Sequence, residues 1–318
     1  MSGGDAREPM LPFLRRWPVL AGALAGILLR LMFSAPAGSR FSAMAGAFIF
    51  LAPVAVGMVT VYVAERQEPR DWGYYFVAPA VATGLFVVGT LLIHVEGLIC
   101  AVLIAPLFGI LGGLGGLLMG LACRLTGWPR PTLYAAGALP LLLGALIPPT
   151  ALQHAHSEVE RSRWVAAPPA VVWQQLTRLP DVRPAEVERG WAYRIGVPLP
   201  ESGVTGEGVQ HFRMGKGIHF DADITAWAPG RRLAWAYRFT EDSVPAGALD
   251  DHVRLGGRHF DLVDTAFELE PEAGGTRLRM RTRYRVSTQF NVYAEAIAAL
   301  LLGNVSEVLL DLYANRAS

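Results

Sequence analysis

Apolar positions follow one rule before residue 155 and another after it. Before it, nearly every residue is apolar, Gly or Pro, in runs as long as a bilayer is thick. A spanning helix needs about 20 apolar residues. Five stretches qualify, at 17–35, 41–63, 74–93, 98–122 and 132–150. After residue 155 charged and apolar side chains alternate, as in half-buried strands. Strands are expected at 158–165, 191–197, 204–214, 217–227, 232–240, 258–270 and 276–287. Pro168-Pro169 ends the first strand and opens a helix at 169–178, because Pro suits a first helical turn. Gly215-Lys216-Gly217, Ala228-Pro229-Gly230 and Gly274-Gly275 supply turns. The last run, 289–315, is helical: Ala294, Ile297, Ala298, Leu301, Leu302, Val305, Val308, Leu309 and Leu312 recur at helical spacing.

These elements predict three regions: a tail at 1–16, an α-helical transmembrane region at 17–150 and an α+β domain at 151–318. In that domain a curved antiparallel sheet wraps the long C-terminal helix. The space between them is the expected ligand cavity.

Charge sets the orientation. Arg7, Arg15, Arg16, Arg66, Arg70, Arg124 and Arg130 fall in the tail and in alternate loops, while the other side holds only Arg40. The tail is therefore expected in the cytoplasm. Five crossings would put the α+β domain outside a bacterial cytoplasmic membrane, and a helix count off by one would reverse this. The total net charge of +1 gives no sign of nucleic-acid binding.

Arg30 lies inside the first apolar run and must snorkel or face a neighbouring helix. It also argues against reading Ala35-Pro36-Ala37 as a cleavage site. Gly112, Gly116 and Gly120 make small-residue pairs best read as tight packing within the chain. His94, Glu96 and Cys100 are read as an interfacial cap, not a metal site. Cys100 and Cys123, on one helix, would lie about 35 Å apart, too far to pair. No cofactor is expected.

One stretch carries a resemblance. Val165-Ala166-Ala167-Pro168-Pro169-Ala170-Val171-Val172-Trp173 is similar to the opening motif of START-like, polyketide cyclase/dehydrase-type helix-grip domains, the SRPBCC superfamily. Gly230-Arg231-Arg232-Leu233-Ala234-Trp235 resembles a later strand of that family. Gly274-Gly275-Thr276-Arg277-Leu278, with Thr282-Arg283-Tyr284, resembles its last strand. The likeness covers 157–315. It implies a helix-grip fold and a hydrophobic ligand such as a lipid, sterol or polyketide. Some family members catalyse cyclisation or dehydration. The membrane region departs from the usual soluble member.

Strand register sorts the two faces. Pairing the last two strands through Gly274-Gly275 sets Phe267 opposite Met280, Leu269 opposite Leu278, Thr265 opposite Thr282 and Val263 opposite Tyr284. The other face pairs Glu270 with Arg277, Glu268 with Arg279 and Asp264 with Arg283, so the Arg ladder there reads as solvated. A second pairing sets Phe220 opposite Phe239, Ala222 opposite Tyr237 and Ile224 opposite Trp235; His219, Asp221 and Asp223 then face outward.

His259 and Asp261 share parity with Val263, Thr265 and Phe267, and face the cavity unless a bulge intervenes. Arg163 shares parity with Val165. The expected lining is Arg163, Val165, Trp173, Trp235, Tyr237, Phe239, His259, Asp261, Val263, Thr265, Phe267, Met280, Thr282, Tyr284, Ile297 and Leu301.

The first expectation is a membrane-anchored binding protein for an apolar or lipid-like molecule. The alternatives are a cyclase- or dehydrase-like enzyme, with His259 and Asp261 as its acid–base pair, and a sensor or scaffold without ligand. Ligand identity and oligomeric state stay open. Segment 241–257 reads as a loop or a lid.

Overall fold

The computed structural model describes residues 17–35, 41–126 and 152–318. The tail and the expected fifth span lie outside them. Two compact units divide at Ala151–Leu152.

The first unit is helical: α1 (Pro18–Met32), α2 (Ala47–Glu65, opening with a π-helical turn to Leu51), α3 (Trp72–Leu92) and α4 (Leu98–Thr126). The first run yields only a 15-residue helix, which ends at Met32. The π-turn precedes Pro53, whose missing N–H cannot serve the usual partner carbonyl. Arg30 does not reach out to water: its Nε bonds Glu96 at 2.6 Å and its Nη1 donates to the Phe33 carbonyl and Ser34 Oγ. Glu96 thus serves as the partner of Arg30, beyond the interfacial cap expected of it.

The glycines of α4 pack within the chain, as expected. A methyl on Gly112 would meet Thr83, one on Gly116 the Tyr75 carbonyl, and one on Gly120 the Tyr75 ring, each within 2.5 Å. At one end of the bundle Glu65 accepts bonds from the Tyr75 hydroxyl and the Arg70 amide. Arg124 lies over the Trp72 ring and bonds the Arg70 carbonyl. The outer faces carry exposed Leu114, Leu118, Val77 and Val81, as lipid-facing helices do.

The second unit is an eight-stranded, wholly antiparallel sheet with a long helix. Its elements are β1 (Ala155–Val165), α5 (Pro169–Thr177), β2 (Arg178–Leu179), α6 (Pro184–Val187), α7 (Trp191–Arg194), β3 (Pro200–Gly206), β4 (Val209–Met214), β5 (Ile218–Ala228), β6 (Arg232–Arg238), β7 (Phe260–Glu272), β8 (Gly275–Val286) and α8 (Asn291–Ala317). The strand order is β1-β8-β7-β6-β5-β4-β3-β2. The sheet curls as a half-barrel and α8 lies on it, so the expected α+β architecture is present.

Four helices are long and apolar enough to cross a membrane: Ala47–Glu65, Trp72–Leu92, Leu98–Thr126 and Asn291–Ala317. By that measure the chain is a membrane protein. The last of the four is α8, whose Val308, Leu310 and Leu312 are buried in the core of the sheet unit.

Two expected strands are corrected. In place of a strand at 191–197, Trp191–Arg194 form the short α7, with the Ala192 amide held by Asn304 Oδ1 on α8. The run 204–214 is a hairpin, β3 and β4, turning at Glu207-Gly208. Both turn residues have positive φ, the geometry that matches strand twist.

Candidate functional site: an aromatic concave face

Observed register decides which side chains face α8. Phe267–Met280, Leu269–Leu278 and Thr265–Thr282 pair as expected, as do Ala222–Tyr237 and Ile224–Trp235. Between Leu262 and Asp264 the register slips: Leu262, not Val263, lies opposite Tyr284. Val263 is the extra residue of a β-bulge, and a single-residue slip exchanges the faces of everything before it.

His259 and Asp261 are therefore turned off the concave face. Asp261 lies opposite Arg285, 3.8 Å from its guanidinium, and accepts the Gly256 amide. His259 is buried just before β7, its Nδ1 donating to the Ser287 carbonyl at 2.9 Å. Burial lowers its pKa first, with His252, Arg258 and Arg285 adding to the effect. Burial likewise raises that of Asp261, against the pull of Arg285. The two side chains point to different partners and form no acid–base dyad. Phe260 and Leu262 take the inward places, beside Val159, Tyr284 and Leu302.

Arg163 faces α8 but does not line a cavity. It is exposed and meets Asp311 at 3.0 Å, where Arg189 also binds. It belongs to a seam in which Ser157 bonds Glu295 and Arg161 bonds Glu307. Gly303 makes room there, since a methyl would fall 2.5 Å from the Arg161 guanidinium. The outer Arg ladder is occupied by acids, though only one is the expected partner: Arg283 clamps Asp264, whereas Arg277 binds Glu272 in place of Glu270 and Arg279 lies between Glu160 and Glu270 in place of Glu268.

The remaining expected lining is on the concave side. Val165, Trp235, Phe267 and Met280 are buried in the core, and Trp173 packs edge-on to Trp227 at 5.0 Å. Tyr284 is buried, with its hydroxyl on the Glu295 carbonyl. Ile297 and Leu301 are half-buried on α8.

An aromatic band runs along this face. Phe212 packs on Phe220, Trp235 and Tyr237; Phe239 packs on Phe220 and Tyr237; Phe267 packs on Trp235 and Tyr313. Phe212 and Tyr313 are absent from the sequence-based lining. Pairing β4 with β5 would have found Phe212 opposite Phe220. Segment 241–257 is packed over one end of the band: Val244 and Ala248 are buried against Ile218 and Phe220, with Leu249 and Leu255 alongside. Arg254 ties the segment to itself through the Glu241 and Val244 carbonyls.

Polar groups on this face are few. The Tyr237 hydroxyl bonds Thr265 Oγ1 at 2.8 Å, and Thr265 bonds Thr282 Oγ1 at 3.0 Å. Burial raises the Tyr237 pKa. Gln210 is buried and bonds Thr205. The arrangement is a mostly apolar wall with a short row of neutral hydroxyls, suited to holding an uncharged molecule.

No family profile and no curated protein matches the chain. Several solved bacterial structures align with about half of it. An uncharacterised protein from Rhizobium leguminosarum is 16% identical, with 51% of this chain and 98% of that one covered, at a TM-score of 0.29. A protein from Mesorhizobium loti is 20% identical, covering 49% and 96%, at 0.29. One from Thermus thermophilus is 19% identical, covering 51% and 97%, at 0.31. At these values they say nothing of a ligand or a reaction.

Proposed function

We propose that this protein is a membrane-anchored binding protein whose sheet unit holds an apolar or lipid-like small molecule between the curved sheet and α8. One observation carries the reading. Phe212, Tyr237, Phe239, Phe260 and Leu262 turn inward by register, yet none is fully buried. Well-packed interiors leave few such surfaces, whereas ligand sites are concave, mostly apolar and sparsely polar. The resemblance to SRPBCC domains supports the same reading. The apolar helices would anchor it in a bacterial inner membrane, and the distribution of Arg favours an external sheet unit. A bilayer-anchored site favours lipidic ligands already dissolved in the membrane.

The cyclase- or dehydrase-like alternative loses its acid–base pair, because His259 and Asp261 sit off the concave face. The ligand-free scaffold reading draws on the burial of Val165, Trp235, Phe267, Met280 and Tyr284, which fill part of the interior.

The test is native mass spectrometry with lipid extraction on residues 152–318, purified from a bacterium without detergent. A stoichiometric apolar ligand is expected, retained in His259→Asn and Asp261→Asn. A folded but empty domain that also takes up no added lipid would overturn the reading.

A further inference from the structure

The outward side of α8 changes character along its length. Val292, Ala296 and Leu300 follow one another at successive turns, and Val292 and Leu300 are 89% and 61% exposed. They are at least as exposed as Val77 and Leu118 on the outer faces of α3 and α4. Among the described residues 291–306 no other is exposed, and Glu295, the one charge there, is held by Ser157. Beyond Leu300 the helix turns ionic: Glu307 binds Arg161, and Asp311 binds Arg163 and Arg189. Single exposed apolar side chains are ordinary. A line of them on one helix face, with no exposed polar residue between, marks a contact surface.

What covers this line follows from where the chain arrives. The first turn of α8 is tied to the start of the sheet unit: Asn291 Nδ2 donates to the Gln153 carbonyl at 2.9 Å, and His154 Nδ1 meets Ser287 Oγ at 2.7 Å. Three residues before Gln153 the sequence is still in the apolar run 132–150, which lies outside the described residues. Three residues reach at most about 10 Å. That length of chain and one hydrogen bond therefore separate the first turn of α8 from a run long enough to cross a bilayer. β1 and α8 run in the same direction, since Ser157, Arg161 and Arg163 meet Glu295, Glu307 and Asp311 in order. The apolar part of the helix thus lies at the tethered end and the ionic part away from it. A bilayer at the tether requires that order; a partner protein or a second copy does not.

We propose that Val292, Ala296 and Leu300 form a membrane contact, lying in the boundary between headgroups and acyl chains of the bilayer that anchors the chain, with the ionic end of α8 in water. Apolar faces of interfacial helices lie about 5–10 Å deep in this way. The proposal rests on the anchoring by apolar helices and is independent of whether the concave face holds a ligand.

The test uses the full chain in vesicles of phosphatidylethanolamine and phosphatidylglycerol. Cys100→Ala and Cys123→Ala remove the native thiols, and nitroxide labels are placed singly through Val292→Cys, Leu300→Cys, Asn315→Cys and Leu118→Cys. Asn315, exposed on the last turn of α8, is the water reference, and Leu118 on α4 is the hydrocarbon reference. Collisions with oxygen, which partitions into lipid, and with a water-soluble nickel chelate are read by power-saturation electron paramagnetic resonance. The labels at 292 and 300 are expected to meet oxygen freely and the nickel chelate severalfold less than the label at 315. If they meet nickel as readily as the label at 315 while 118 is protected, the face is in water and the proposal falls. Shielding from both agents would also overturn it, because protein would then cover the face. A water-exposed label at 118 would overturn the anchoring and this inference with it. If the thiol-free background does not fold, p-benzoylphenylalanine in place of Val292 or Asn315 in the native chain serves instead: photocrosslinking to lipid from position 292 and not from 315 is expected, and crosslinking from 292 to protein alone would overturn the proposal.

Discussion

Asp261 lies opposite Arg285 on the outer side of the sheet, one register step from where uninterrupted alternation would put it. The step is Val263. Deleting that residue would remove the bulge yet leave Phe260 and Leu262 inward, because Leu262 and Asp264 already lie opposite the consecutive residues Tyr284 and Arg283. Thermal unfolding of the Val263 deletion is therefore expected close to wild type, as is that of Val263→Ala. A transition far below wild type for the deletion would mean that Val263 itself, and not the pairing around it, holds this end of the strand.

Gly303 is a place where two local effects oppose each other. Ala there should favour the helix by about 1 kcal/mol, but its methyl would displace the Arg161 guanidinium from Glu307. That pair is exposed and contributes about 0–1 kcal/mol. Gly303→Ala alone should thus be near neutral. In an Arg161→Ala background it should stabilise by about 1 kcal/mol. Denaturant unfolding of the four-variant cycle reads this coupling, and a zero interaction term would remove the proposed clash.

In the helical unit, Arg30 and Glu96 should be interdependent. Removing one charge of a buried pair strands the other and costs about 3 kcal/mol or more. Glu96→Gln and Arg30→Met are each expected to lower the unfolding temperature in detergent clearly. Arg30→Met with Glu96→Leu should recover most of the loss. Single variants as stable as wild type would show that the pair is solvated.

His259 should make the sheet unit acid-sensitive. Its folded pKa lies below the ordinary 6.5 because burial disfavours the imidazolium. The unfolded chain therefore takes up the proton first, and stability falls as pH drops through about 6.5 and on toward the lower folded value. Asn at this position can still donate to the Ser287 carbonyl but does not titrate. Comparing chemical stability at about pH 7.5 and about pH 5.5, on either side of that ordinary value, wild type should lose more than His259→Asn; equal losses would assign the acid limb elsewhere.

How much of this was legible depended on whether local chemistry carried the signal. The β7–β8 pairs at Thr265, Phe267 and Leu269 follow from alternation and the Gly274 turn, whose φ is +74°. The Asp264–Arg283 pair follows from the same register, while Arg277 and Arg279 reach acids other than those directly opposite. Val263 carries no glycine, proline or charge to mark a bulge, so parity runs through it and places His259 and Asp261 inside. Glu207 adopts a left-handed conformation that its residue type seldom takes, so the β3–β4 hairpin reads as one strand. The alternation at 191–197 is real, but Asn304, more than a hundred residues away, caps that segment as a helical turn. Trp235 was legible as cavity wall; that it lies between Phe212 and Phe267 is visible only once those neighbours are in place.

The seam between β1 and α8 also limits how the fold can open. Ser157, Arg161 and Arg163 grip Glu295, Glu307 and Asp311 along one edge of the helix, and Arg161 passes through the notch at Gly303. Sliding the helix along its axis would break all three contacts at once and drive a side chain against the notch wall. The opposite edge is held as well, by Asn304 on the Ala192 amide and by Arg316 on Glu186. The helix is thus clasped from both margins, so it can leave the sheet only by releasing two sets of polar contacts together.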